Sequence, residues 1–224
     1  MYLMKKQVFT YIALALMALQ ACKKDRVQPG DIHIPEDPIE TTPVTGETQP
    51  SKENIVYRKL NSSLGYNKHI FLDANADGVV DISFSSVLIM HDGTQHLYLS
   101  AYSKATTGNR VYVQKGDELV NGGLWTYPFS EGQIIEPTEA NNVKFTANQQ
   151  KAVIMSITSA SPKDKVNGLW VNQADKYLGF ALKIDGEPHF GWVKLSHVTA
   201  TNEIKISEYA YNKNAGDDIR AGEK

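Results

Sequence analysis

The chain has 224 residues and only one cysteine, Cys22. A single thiol allows no internal disulfide, so a folded domain here has to stand on its core. Lys and Arg number 23 against 25 Asp and Glu, a net charge of −2. No stretch gathers the basic face that nucleic-acid binding requires. No apolar run approaches the ~20 residues needed to cross a hydrocarbon core. Beyond the first residues, no window sustains the 3.6-residue apolar period of an amphipathic helix. G-x-S-x-G, H-E-x-x-H and a phosphate-cradling glycine loop are also missing, which removes support for the common motif-bearing hydrolase and nucleotide-binding classes.

What is present starts at the N-terminus. Lys5 and Lys6 form a positive region, residues 8–19 a short apolar one, and Leu19-Gln20-Ala21-Cys22 follows where a processing site belongs. The tetrapeptide resembles the lipobox of bacterial lipoproteins, with Gln20 a departure from the small or aliphatic residue usual there. The resemblance implies cleavage before Cys22, lipidation of its thiol, and membrane attachment through acyl chains at ~0.8 kcal/mol per CH₂. Lys23, where an aspartate would mark inner-membrane retention, points to the outer membrane, on its periplasmic or its outer side. Residues 1–21 are thus expected to be a signal peptide.

Residues 22–50 read as a tether. Pro29, Pro35, Pro38, Pro43 and Pro50 stand among Asp31, Glu36, Asp37, Glu40 and Glu47, with no aromatic residue from 27 to 50. Such a stretch cannot bury enough apolar surface to offset its ordering entropy.

Residues 51–224 change texture. Segments 81–84, 96–102, 110–113, 151–157, 177–184 and 205–211 alternate in polarity or are β-branched. Asp92-Gly93, Asn121-Gly122, Asn167-Gly168 and Asp185-Gly186 supply the positive φ of tight turns. The expectation is an all-β domain, an antiparallel sandwich or jelly roll.

The strongest chemical motif is the segment from Asp73 to Asp81, DANADGVVD. Asp73, Asn75, Asp77 and Asp81 place side-chain oxygens at positions 1, 3, 5 and 9, Gly78 permits the turn, and Val79 offers a carbonyl. The spacing suits a hard cation, calcium, in a structural role. The alternative is an Asx-rich turn that caps its own backbone. Phe84 stands where a helix–loop–helix site carries its glutamate, so the loop resembles the nine-residue calcium loops set between strands in secreted proteins.

Other groups are weaker. His91 and His96 fall on one face of a hairpin, and two imidazoles make no zinc site. Trp125, Trp170 and Trp192 sit beside glycines. Their ring faces would suit stacking on a glycan if exposed, or the core if not. Glu131, Glu136 and Glu139 could supply a carboxylate pair for an envelope hydrolase acting on a polysaccharide. The phrases Tyr177-Leu178-Gly179-Phe180, Phe190-Gly191-Trp192, Tyr209-Ala210-Tyr211 and Ile219-Arg220-Ala221-Gly222 follow the Asp/Asn loop in order. Together, over residues 71–222, they resemble a recurrent class of secreted bacterial β-domains, with Phe190 in place of the usual tyrosine. That resemblance implies fold and export and carries no active site. The reading is a non-enzymatic binding or structural lipoprotein, partnered by the membrane and by a glycan or envelope protein.

Overall fold

The computed structural model describes residues 42–104, 106–115, 119, 122–137, 143–146 and 151–224. The expected signal peptide, Cys22 and the tether up to residue 41 lie outside the described residues. Strands follow in chain order as β1 (Glu47–Thr48), β2 (Ile55–Leu64), β3 (His69–Leu72), β4 (Ile82–His91), β5 (Thr94–Tyr102) and β6 (Arg110–Gln114). Short strands come next: β7 (Leu124–Thr126), β8 (Pro128–Phe129), β9 (Ile134–Ile135) and β10 (Val143–Phe145). Then follow β11 (Ala152–Thr158), β12 (Lys165–Asn167), β13 (Lys176–Ile184), β14 (Glu187–Val198), β15 (Glu203–Asn212) and β16 (Ile219–Arg220).

The fold is all-β and sandwich-like. One curled sheet runs β1-β2-β15-β14-β13-β6-β7-β11-β5-β4-β3, and β16 pairs with β9 separately. Strand β6 is the corner, pairing with β13 through Arg110 and Val111 and with β7 through Val113 and Gln114, while β10 lies across from β7. The β11–β7 contact is parallel, unlike the antiparallel hairpins around it. At the β4–β5 tip, Asp92 (φ 47°) and Gly93 (φ 73°) both take the left-handed conformation, as a two-residue turn matching strand twist demands.

Between the two limbs lies the main core. Leu72, Ile82, Phe84, Leu99 and Ile154 from one limb meet Leu178, Phe180, Val193, Leu195 and Ile206 from the other. Full burial of each such side chain contributes ~1.5–3 kcal/mol. A second core forms on the far face of β13–β14–β15. There Tyr57, Tyr177, Phe190 and Trp192 are covered by Phe129, Ile135 and Ile219 of the short strands. Alternation predicts smaller or polar residues on that face of β13, but Tyr177 and Ala181 are buried there. The short strands provide a cover that periodicity does not announce.

The tether expectation is corrected at its end. The Val44 N–H donates to the Phe71 carbonyl at 2.7 Å, and Glu47 pairs with Lys59 across β1 and β2. Residues 44–48 therefore belong to the sheet, because extended backbone without bulky side chains can add to an open edge as readily as it can hang free.

Burial on both faces leaves little space beside Gly191. A Cβ there would come within 2.5 Å of the Ala210 carbonyl oxygen and closer still to the tip of the Phe180 ring. Gly191→Ala is expected to cost ~1–3 kcal/mol or more through overpacking. Urea unfolding should show a lower midpoint with an unchanged m-value.

Candidate functional site

The Asp73–Asp81 loop connects β3 to β4, and it is closed at its base by the Asp81 N–H donating to the Leu72 carbonyl at 2.8 Å. Asp73 and Asp81 are buried, at 3% and 5% exposure. Both carboxylates accept main-chain donors. Asp73 Oδ1 takes the N–H groups of Ala76 at 2.8 Å and Asp77 at 3.2 Å, and Oδ2 takes that of Gly78 at 2.9 Å. Asp81 Oδ2 takes the Ala74 N–H at 2.7 Å. Ala76 (φ 64°) and Gly78 (φ 84°) are left-handed, which wraps the chain around Asp73. Asp77 N–H also reaches Asn75 Oδ1 at 3.2 Å, so Asp73 and Asn75 share one donor. Val79 is exposed at the rim.

Asp81 is anchored from outside the loop. Asn109 Nδ2 donates to its Oδ1 at 2.8 Å, and Asn109 Oδ1 accepts the Lys183 N–H of β13 at 2.7 Å. Tyr209 donates its hydroxyl to the Ala74 carbonyl at 3.3 Å, seating the loop on β15. Burial pushes the Asp81 carboxyl up to about 6, against the Ala74 and Asn109 hydrogen bonds that lower it. A buried carboxylate of this kind gains from a nearby cation. The donor set is all oxygen, which fits calcium rather than zinc. Ionised carboxylates offer about four acceptor sites each, so Asp73 and Asp81 keep unused lone pairs. Among the described residues, however, no group of three His, Cys, Asp or Glu side chains is gathered around one point.

A second polar centre lies on the far face of the sheet. Glu208 of β15 is 8% exposed and accepts the Tyr57 hydroxyl. Lys224 Nζ lies 3.0 Å from it and Lys194 Nζ 3.5 Å. Lys194 also reaches Asp175 at 3.3 Å, and Lys224 sits 4.6 Å over the Tyr57 ring. Burial raises the Glu208 carboxyl, but the Tyr57 and Lys224 hydrogen bonds and both lysine charges outweigh it and hold it below its ordinary range. The cluster is a lock between β2, β14, β15 and residue 224, with its lone pairs already engaged.

The tryptophan expectation is corrected toward the core. Trp170 and Trp192 are fully buried and Trp125 is 4% exposed, so none presents a stacking face. Trp170 Nε1 donates to Thr126 Oγ1 at 2.7 Å, and Trp192 packs edge-on to Tyr177 at 5.1 Å. His91 and His96 share a face as hairpin parity requires, with ring centroids 6.3 Å apart, and His96 is engaged by Thr158 at 3.1 Å. Glu131 and Glu136 are exposed, and Glu139 lies outside the described residues. Sequence reasoning missed Asn109 and Glu208. Nothing local distinguishes either.

The Glu208 lock generates a pH dependence. A carboxyl held below its ordinary 4.5 stabilises the fold fully above that value and loses the contribution as pH falls through the lower folded value. Glu208→Gln should cost ~1–3 kcal/mol at neutral pH and flatten the acid limb of a plot of melting temperature against pH. An unchanged acid limb would show that Glu208 is not the titrating group.

The chain matches no protein-family model, no curated protein and no solved structure, so its function rests on its own chemistry.

Proposed function

We propose that this chain is an outer-membrane lipoprotein, anchored through an acylated Cys22, whose β-domain is a non-enzymatic binding or structural module braced by calcium. The ion would be held by side-chain oxygens of Asp73, Asn75, Asp77 and Asp81 and by the Val79 carbonyl. The observation that supports this reading is the Asp73 carboxylate, buried at 3% and wrapped by three main-chain N–H donors. An Asx turn needs one such donor. Calcium would supply charge neutralisation between the carboxylates and no acid–base chemistry. Its effect would spread through Asn109 to β13 and through Tyr209 to β15.

A ligand bound only by the native state adds RT ln(1 + [L]/Kd), ~2.7 kcal/mol at a hundredfold excess. Melting of the intact chain should therefore rise by a few degrees from chelator to millimolar calcium. Asp77→Ala should remove that rise while leaving Gly78 free to turn. No rise in the wild type, with no calcium found by metal analysis, would return the loop to an ordinary Asx turn.

For the anchor, Cys22→Ser should block lipid transfer and leave an unprocessed precursor that no longer labels with fatty acid. Labelling and mature size retained in the variant would remove Cys22 as the anchor.

A further inference from the structure

An open groove of about 760 Å³ lies on the second-core face of the sheet, beside the short strands that cover that core. A volume of that order is typical of ligand sites. Its walls include Thr107, Gly108, Arg110, Phe145, Lys183 and Phe190. Arg110 of β6 stands directly opposite Ala181 of β13, and Lys183 is two residues further along β13. Strand alternation therefore puts both cations on one face as diagonal neighbours, ~7–8 Å apart at the backbone. Like charges so placed repel, yet neither has a carboxylate within ion-pair distance among the described residues. Both are exposed.

The Lys183 side of the groove is held by its surroundings. The Lys183 N–H is bonded to buried Asn109 at 2.7 Å. Gly108 leaves room for the lysine stem, since a Cβ there would meet Lys183 Cδ at 2.9 Å. Phe145 is fixed by the Tyr112 ring, with centroids 4.0 Å apart, and by Phe190 at 5.9 Å. The groove thus offers two neighbouring cations beside a half-buried aromatic ring, proline edges and threonine hydroxyls.

We infer that this groove binds an acidic oligosaccharide, one whose sugar rings carry carboxylates. A uronate ring presents an apolar C–H face, hydroxyls and a carboxylate on one rigid frame. Those three features complement Phe145, the threonines and the Arg110–Lys183 pair. An acidic peptide fits less well. Peptides commonly dock by adding a strand to a free sheet edge, and both β6 and β13 are already paired on each side.

The test is titration calorimetry on the intact chain in mild detergent, with chelator present throughout so that the calcium loop is not being read. The probes are trigalacturonate, maltotriose, triglutamate and inorganic sulfate. Trigalacturonate should bind at least tenfold more tightly than each of the other three and weaken as salt screens the pair. Arg110→Gln and Lys183→Gln should each weaken it at least tenfold without moving the melting temperature. Lys205→Gln, an exposed base on β15 outside the groove, should leave it unchanged. Absence of binding, equal binding of sulfate or triglutamate, or variants that bind like the wild type would each overturn the inference.

Discussion

Strands β13 and β14 carry large apolar side chains on both faces, so each face requires its own cover. Leu178, Phe180 and Val193 face the opposing limb, whereas Tyr177, Phe190 and Trp192 face the other way. A half-buried antiparallel sheet would leave the second set in water at ~1.5–3 kcal/mol apiece. The chain answers with β8, β9 and β16, strands of two residues each, which would not be stable as a sheet of their own. Their order depends on the hairpin beneath them. Close packing from two sides also explains the glycines: a Cβ on Gly179 would meet the Tyr112 and Phe129 rings at 2.8 and 2.9 Å.

Two polar groups at the margins of this arrangement join elements far apart in sequence. Asn109 ties the Asp73–Asp81 loop to β13, and Glu208 gathers Tyr57, Lys194 and Lys224. Hydrogen bonds to charged groups contribute ~1.5–3 kcal/mol, whereas a buried group left without its partner costs the full desolvation. These contacts therefore fix register more than they add stability. The parallel β11–β7 contact and the bulges in β14–β15 and β15–β2 are the irregularities such joints have to accommodate.

The fold class was legible in the sequence because most strands obey period two. Segments 96–102, 110–113, 177–184 and 205–211 all fall within observed strands, and the Asp92-Gly93 and Asp185-Gly186 turns lie where their φ preference puts them. Strand β2 was not legible. Ile55 and Tyr57 join the second core and Leu64 the main one, with Arg58, Lys59 and Ser62 between them, so no alternation on a single face stands out. The short covering strands were hidden for a related reason: two residues carry no period. Tryptophans beside glycines suggested open ring faces, yet Gly191 serves close packing next to Trp192 and exposes nothing. The Asp/Asn loop was readable because its chemistry is local. The groove was not, since Arg110 and Lys183 become neighbours only through the β6–β13 pairing.

Asn109 stands between the two regions that carry this chain's chemistry. One side of its amide holds an acid of the loop, and the other holds the backbone of a groove lysine. The amide is neutral, so it transmits position and not charge. At 2% exposure it has no water to replace either partner. A shift of Asp81 must therefore either move Asn109 or leave a buried donor unmet, and a shift of Asn109 does the same to Lys183. Gly108 and Arg110 flank it in the chain and line the groove on the same side as Lys183. Asn109 thus joins the loop to the strand that carries Lys183, while the spacing of the two cations is set by the β6–β13 pairing itself.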